Sequence, residues 1–384
     1  MIDSAAARRS GAVLSIDLGA LADNWRVFQN LGSAESGAVV KAGAYGLDIK
    51  HVAPALLKAG CQTFFVASID EAIELREAIG GNPAKHGASP TIHVFYGLMD
   101  GTGPDFHAHD LCPVLNSLQE VAAWQSFCAD LGQDLACDIH IDTGMARLGL
   151  DANDIGRLVD NPHILDKLNI DIALSHLVSA EDSGHPKNTE QLNAFTGVLE
   201  HMKPRRASLS NSSGAFLNSA YHFDVLRPGV ALYGANPTPE AANPMAPVIR
   251  LQGRVLQVRS FDQPGSVGYG STYQAVKGTR IATLAAGYAD GLLRSLSNAG
   301  NVYFGSHKAP MVGCVSMDLI TVDVTNVPQN LVQPGLMADI IGPLNPIDDV
   351  ADKAGTIGYE LLTQLGTRYH RVYLNADAQG NNEP

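Results

Sequence analysis

Short apolar runs alternate with longer amphipathic stretches along the first part of the chain. The runs are four to eight residues long, which is typical of buried strands, and the stretches between them have helical spacing. Eight such strands, most followed by a helical stretch, predict an α/β fold built on a closed (βα)8 TIM-type barrel. The predicted strands are Ala38–Lys41, Thr63–Ala67, Ile92–Tyr96, Cys112–Asn116, Ala136–Ile141, Ile170–Ser175, Ala207–Ser210 and Val225–Leu232.

The pattern changes at a segment rich in proline and asparagine, Asn236–Pro247. Beyond it, short alternating strands separated by turn residues predict a mainly-β domain, with one helix around Ala351–Leu365. A chain of 384 residues is long enough for two domains. We therefore predict a barrel over residues 1–238 and a C-terminal β-rich domain over residues 239–384. The early strand Ala12–Ile16 is a candidate to join the second domain.

Composition narrows the possible partners and compartments. Hydrophobic residues make up 45% of the chain and charged residues 17%, as in ordinary soluble enzymes. A net charge of -13 argues against nucleic acid as a partner, and no apolar run reaches membrane-spanning length. The five cysteines form no Cys-x-x-Cys pair, which suits a reducing compartment. No apolar segment follows Arg8-Arg9 as in a signal peptide, so we predict a cytoplasmic protein.

Lys41 is the first candidate for chemistry, because it ends the apolar run Ala38–Lys41. A buried ammonium is costly, and the cost falls when the nitrogen forms a covalent imine with a carbonyl cofactor. The alternative is a strand-end lysine whose ammonium reaches water. Active residues of barrels lie at the carboxyl ends of strands, and this position favours a functional lysine.

Four other positions have side chains or backbone groups suited to binding anions. Arg147 follows a predicted strand within a glycine-containing loop, and arginine is the side chain best shaped to bind a carboxylate. Gly229 and Val230 offer backbone N–H groups near the last strand, and Ser212 offers a hydroxyl, as in the phosphate sites of barrels. The alternatives are a surface arginine and an ordinary helix start.

Histidine and tyrosine candidates are weaker on the residues alone. His176 ends the sixth strand, where an isolated histidine is more often a core residue. Tyr269 lies between two glycines, so it can reach outward, although a half-buried sheet aromatic is the alternative. As a base it must lose a proton from a group whose ordinary pKa is about 10. His107 and His109 lack a third placed ligand, so we assign no metal.

The segment Lys41-Ala-Gly-Ala-Tyr-Gly46 resembles the lysine motif of the alanine racemases, which usually reads Lys-Ala-(Asn or Asp)-Ala-Tyr-Gly. The resemblance continues in order from Leu14 to Tyr373, through both predicted domains. It implies a homodimeric enzyme that uses pyridoxal 5′-phosphate (PLP) to interconvert L-alanine and D-alanine. The further matching segments are Asp142–Gly149, Leu226–Gly234, Val267–Tyr273, Ala286–Gly291, Val315–Asp318 and Gly355–Leu362.

The resemblance also implies roles for single residues. Lys41 would carry PLP and act as the base on the D-alanine side, and Tyr269 of the other subunit as the base on the L-alanine side. Arg227 would bond the pyridine nitrogen, with His176 bridging it to the catalytic tyrosine. The phosphate would be held by Tyr45, Ser212, Gly229, Val230 and Tyr359. The substrate carboxylate would be bound by Arg147 and the partner's Met317, and Tyr288 would line the access corridor.

Three residues depart from the family pattern. Gly43 replaces the usual asparagine or aspartate, and Cys314 replaces an arginine. His140 stands where many members carry a lysine modified to a carbamate that positions the arginine equivalent to Arg147. Imidazole forms no such stable carbamate, so Arg147 must be held in another way.

Other functions remain open at this stage. A decarboxylase of the same architecture would keep the lysine, but its Glu-Pro-Gly-Arg motif is missing from the sequence. A PLP-carrier protein would usually be the barrel alone. Racemisation of serine, lysine or arginine is also compatible with the motifs, and so are D-alanine supply for peptidoglycan and alanine catabolism.

Overall fold

The computed structural model describes residues 5–80 and 89–376. Seven of its strands form one parallel sheet. Each strand pairs with the next along the chain, and the buried pattern of segments such as Thr63–Val66 is typical of parallel sheets covered on both faces. The strands are β3 (Ala38–Val39), β4 (Thr63–Val66), β5 (Thr91–Val94), β6 (Cys112–Leu115), β7 (Ala136–His140), β8 (Asn169–Leu174) and β9 (Arg206–Ser208).

A two-stranded pair joins the two edges of this sheet. Strand β2 (Glu35–Ser36) pairs in parallel with β10 (Val225–Leu226). The Arg227 N–H donates to Ser210 O at 3.0 Å, and the Gly37 N–H donates to Leu226 O at 2.9 Å. These bonds connect the last strand to both edges, so the ring of strands closes and the predicted barrel architecture is confirmed.

Helices cover the outside of the barrel and follow its strands. Serine caps begin two of them: Ser68 forms a capping box with Glu71, and Ser117 accepts a bond from the Glu120 N–H, as sequence signals of this kind predict. No helix in the described ranges is long and apolar enough to cross a membrane. The helices are Ala5–Arg9, Leu18–Gln29, Ile49–Ala59, Ile69–Ala78, Gly103–Ala108, Leu118–Leu131, Ala152–Asp160, Pro186–Leu199, Ile347–Ala354 and Gly358–Gln364.

The remaining strands form a separate, mainly antiparallel sheet and a small hairpin. The first strand of the chain, β1 (Ala12–Asp17), lies in this sheet, antiparallel to β11 and parallel to β19. The remaining strands are β11 (Ile249–Ser260), β12 (Gly265–Val267), β13 (Tyr273–Ala275), β14 (Arg280–Leu284), β15 (Asn301–Phe304), β16 (His307–Pro310), β17 (Ile320–Asp323), β18 (Met337–Ile341) and β19 (His370–Leu374), of which β12 and β13 form a hairpin of their own.

Three predicted elements differ in the structure. The strand expected over Ala38–Lys41 ends at Val39. The strand expected over Val225–Leu232 ends at Leu226, because Pro228 offers no N–H for a ladder and a 3₁₀ turn covers Val230–Tyr233. The single helix expected near Ala351–Leu365 is two helices. Gly355 separates them with φ of +69°, the left-handed conformation that commonly ends a helix.

Candidate functional site

Lys41 opens a left-handed turn directly after the short strand β3. Ala42, Gly43 and Ala44 have φ values of 54°, 59° and 57°, a conformation that costs roughly 1–2 kcal/mol per non-glycine residue. Tertiary contacts hold the turn, since the Ala42 N–H donates to Glu71 Oε1 at 2.6 Å. Strain kept in this way is typical of functional sites.

A cavity of about 900 Å³ lies at the carboxyl ends of the parallel strands. It brings together the predicted site residues of the barrel with Tyr359, the predicted site residue on the Gly358–Gln364 helix. These residues are Lys41, Tyr45, Arg147, His176, Ser212, Arg227, Gly229, Val230 and Tyr359.

Arg227 supplies a fixed positive charge at the bottom of the cavity. Its side chain is buried, and its guanidinium donates to Ser208 Oγ and to Ser175 O. Burial lowers the pKa of Arg227 to about 10, although the charge of Asp138 opposes that shift. The guanidinium therefore stays charged at neutral pH, and its acceptors within residues 5–80 and 89–376 are all neutral.

A backbone cradle suited to an anion lies beside Arg227. The N–H groups of Gly229 and Ala231 both point at Ser212 Oγ, at 2.9 and 3.4 Å. A Cβ at Gly229 would lie only 2.3 Å from Tyr45 Oη, so only glycine leaves this space open. Burial raises the pKa of both Tyr45 and Tyr359, which keeps their hydroxyls neutral hydrogen-bond donors. These donors fit a phosphate group.

The cavity combines two arginines with a lysine and a histidine whose pKa values are lowered. Burial, and then the charge of Arg147, lowers the pKa of Lys41, while Glu71 opposes the change. Burial and then Arg227 lower the pKa of His176 to about 3. The charges of Arg147 and Arg227 suit an anionic ligand, and a lysine of lowered pKa suits a ligand that also carries a group reactive toward an amine.

Three predicted site residues lie outside this cavity. Tyr269, on the hairpin between β12 and β13, is 74% exposed, Met317 is 53% exposed and Tyr288 is 45% exposed. Tyr288 and Met317 are neighbours, because the Tyr288 N–H donates to Ser316 O at 2.9 Å. Within the described residues, the cavity of one chain therefore contains the predicted barrel residues and Tyr359 but not these three.

Sequence reasoning missed two residues at the site, Glu71 in the cavity wall and Asn116, which bonds the cavity-lining His140. Glu71 lies beside Lys41, and its Oε2 also accepts from the Ala67 N–H at 2.9 Å. The capping sequence Ser68-x-x-Glu71 was a local signal for its position, although not for its contact with the lysine turn. Asn116 accepts a hydrogen bond from His140 at 2.8 Å, and no sequence pattern pointed to that pair.

The departure at Gly43 has a physical explanation. Its φ is +59°, and a Cβ there would meet no atom within 4 Å. Glycine, asparagine and aspartate are the residues that best tolerate this conformation, so the substitution preserves the turn. Cys314 lies 3.9 Å from the Thr272 hydroxyl, and nothing in the structure explains why it replaces an arginine.

The chain matches one protein family over nearly its whole length. The model for the N-terminal domain of alanine racemase matches residues 16–237, and the model for its C-terminal domain matches residues 248–373. An alanine racemase of Rhodospirillum rubrum is 43% identical over 367 residues, covering 95% of this chain and 96% of the relative. A catabolic alanine racemase of Mesorhizobium japonicum is 42% identical over 366 residues, covering 95% and 94%.

A solved structure extends the similarity to three dimensions. The alanine racemase of Bartonella henselae, which has covalently bound pyridoxal phosphate, superimposes with a TM-score of 0.89 at 39% identity. The match covers 95% of this chain and 100% of that one. Family and fold thus agree over nearly the full length.

Proposed function

The chain belongs to the alanine racemase family, and from that premise we propose that it interconverts L-alanine and D-alanine with PLP. One observation carries the proposal. A single cavity gathers a lysine of lowered pKa, the charged Arg227, the exposed cation Arg147 and the anion cradle at Gly229. These groups suit a cofactor that carries an aldehyde and a phosphate, together with the carboxylate of an amino acid.

The residues for the cofactor divide by chemistry. Lys41 would bond its carbonyl carbon, and Arg227 would donate to its ring nitrogen. The phosphate would lie among Tyr45, Ser212, Gly229, Val230 and Tyr359. When bound, PLP withdraws electrons from the amino acid and acidifies its Cα–H. A permanent cation at the ring nitrogen resists protonation there and so limits side reactions.

Inverting one carbon requires proton transfer on opposite faces. We assign Lys41 to the D-alanine face, where its lowered pKa makes the neutral amine easier to reach. Tyr269 takes the L-alanine face, with His176 linking the catalytic tyrosine to Arg227. Arg147 binds the substrate carboxylate.

The second base must come from another subunit, because Tyr269 does not line the cavity of its own chain. We propose a homodimer in which Tyr269 and Met317 complete the neighbour's site and Tyr288 lines its access corridor. Their exposure in the single chain fits this arrangement.

We also propose that the enzyme works in the cytoplasm. The five cysteines are free thiols, and four of them are buried, which fits a reducing compartment. The two domains meet near residue 238 in this proposal, with β1 contributed to the second. D-alanine supply and alanine catabolism use the same reversible reaction, so the site serves either role.

The test follows α-deuteration and product handedness together, with the PLP-loaded protein and L-alanine in deuterated water. Deuterium at Cα and the appearance of D-alanine are expected. PLP binding without either change would contradict the racemase proposal and favour another substrate or a carrier function.

The role of Tyr269 is tested separately. Tyr269→Phe should bind PLP normally and lower exchange from L-alanine by about 10²–10⁴-fold, the usual contribution of an acid–base residue. Tyr273→Phe is the matched control on the same hairpin, where the hydroxyl donates to Asp323 at 2.7 Å. Unchanged exchange in Tyr269→Phe would exclude it as the second base.

A further inference from the structure

The proton positions on His140 follow from its hydrogen bonds. The Asn116 Nδ2 group donates to Phe95 O at 3.0 Å and to Val114 O at 2.9 Å. Both amide hydrogens are used, so Asn116 Oδ1 faces His140 Nδ1 at 2.8 Å. An amide oxygen only accepts hydrogen bonds, and the hydrogen between these atoms therefore belongs to Nδ1.

His140 is also uncharged. Burial, together with the charges of Arg227 and Arg147, lowers its pKa to about 4, although Asp142 opposes the change. A neutral imidazole with its hydrogen on Nδ1 has a bare lone pair on Nε2. No donor to Nε2 occurs within residues 5–80 and 89–376, and the ring lines the cavity.

Arg147 belongs to a loop that is anchored to the backbone around His140. The Leu150 N–H donates to His140 O at 2.8 Å, and the Asp142 N–H donates to Leu150 O at 3.0 Å. A Cβ at Gly149 would lie 3.1 Å from His140 Cγ, so the loop passes directly over the imidazole. Three N–H groups inside the loop bond the Asp142 carboxylate, which makes it rigid.

The guanidinium of Arg147 lines the same cavity. Among the residues that the structure describes, it makes no hydrogen bond or ion pair. A rigid loop thus holds a cation with unused donors beside a ring that has an unused acceptor.

We propose that His140 Nε2 accepts a hydrogen bond from Arg147 in the working enzyme, so that the Asn116–His140 pair positions Arg147 for the substrate carboxylate. This inference rests on the role proposed for Arg147 above. It makes His140 and Asn116 positioning residues, because they act through the arginine. A neutral acceptor also leaves the net charge of Arg147 intact for the carboxylate, whereas an anionic partner would offset it.

Two substitutions at His140 separate this role from simple packing. In His140→Gln, the amide can donate to Asn116 and accept from Arg147. His140→Leu fills similar space but can do neither. We expect His140→Leu to raise KM for L-alanine about tenfold, as the loss of one oriented hydrogen bond to a charged group implies. His140→Gln should keep KM within about threefold of the unmodified enzyme.

A double-mutant cycle tests the dependence on the arginine. The effect of His140→Leu on KM should disappear in an Arg147→Leu background, because the group that His140 positions is gone. A wild-type KM in His140→Leu, or an effect of equal size in both backgrounds, would overturn the proposal.

The tautomer of His140 can be measured in the enzyme with His140 unchanged, so the measurement needs neither a folded His140 variant nor catalytic turnover. Nitrogen-15 NMR of histidine-labelled PLP-loaded enzyme, assigned with Asn116→Asp as a perturbing variant, should show His140 protonated at Nδ1 only. Protonation at Nε2 would overturn the proposal. This result does not depend on alanine turnover, so it is distinguishable from a failure of the racemase proposal.

Discussion

The two ends of the barrel handle buried charge in opposite ways. At the amino end, Arg206 is paired with Glu35 and with Asp171, each at 2.6 Å, and His93 bonds Asp138 at 2.6 Å. At the carboxyl end, Arg227 has only neutral acceptors among the described residues. Paired charges are structural, whereas cations without counter-ions indicate where an anionic ligand binds.

The amino-end cluster also shows why ligand-type residues need not bind a metal. His93, Cys112 and Asp138 lie close together and are buried. The 2.6 Å separation of His93 and Asp138 is that of a hydrogen bond and is shorter than the spacing of two ligands on one ion, roughly 3 Å or more for bonds near 2.1 Å. Burial raises the pKa of the Cys112 thiol well above its ordinary value, and the protonated thiol donates to Asp138 Oδ1 at 3.5 Å.

Lys41→Ala, at the carboxyl end, should have the largest effect, and that effect should be on activity rather than on stability. Activity should fall by at least ~10³-fold, since the variant lacks both the proposed covalent anchor and one of the two proposed bases. Stability should stay level or rise, because a partly desolvated ammonium is removed. Activity assays and thermal unfolding measure the two effects. The surface variant Lys50→Ala is the control, and racemisation by Lys41→Ala would contradict the assignment.

Arg206→Met should show the reverse behaviour. It leaves Asp171 buried without its main partner, and we expect a loss of about 2–4 kcal/mol in unfolding free energy, with kcat within about twofold. Arg250→Met is the matched control, because that arginine pairs with Asp339 at the surface and should cost about 0–1 kcal/mol. Denaturant titration compares them. Equal costs for the two variants would show that the amino-end pairing is not structural.

Gly229→Ala tests the anion cradle. The new methyl would lie 2.3 Å from Tyr45 Oη and 3.2 Å from its Cζ, so the ring or the turn must move. Overpacking of this kind costs about 1–3 kcal/mol, which corresponds to a roughly fivefold to 150-fold loss of PLP affinity. Absorbance titration of the PLP-free protein measures it. Gly156→Ala, which meets no atom within 4 Å, should bind PLP normally.

The sequence predicted most of the barrel-side chemistry, because the strands and site loops have strong local patterns. The buried run before Lys41 and the glycines near Arg227 mark strand ends whatever the rest of the chain does. The left-handed turn was not predictable, since alanine disfavours that conformation and a distant carboxylate, Glu71, holds it. The Asn116–His140 pair joins two strand ends 24 positions apart, and no local pattern signals it.

The last predicted effect is a pH dependence of the free energy of unfolding, which comes from the carboxyl end of the barrel. His176 and His140 have pKa values of about 3 and about 4 in the fold, below the ordinary histidine value of about 6.5. At a pH between the folded-state values and 6.5, these histidines bind protons in the unfolded chain but not in the folded protein. Stability is therefore fully present above pH 6.5 and falls as pH decreases, by up to about 1.4 kcal/mol per pH unit for each histidine.

Denaturant titrations of the PLP-free protein between pH 6.5 and 4.5 measure this slope. His176→Asn should reduce the slope by the amount that one titrating histidine contributes. His163→Asn, at a side chain that is 83% exposed, should leave the slope unchanged. Bound PLP brings its anionic phosphate into the same cavity and should flatten the slope. A slope equally steep in His176→Asn would mean that the acid sensitivity arises elsewhere, and the contrast between the two ends would lose its electrostatic basis.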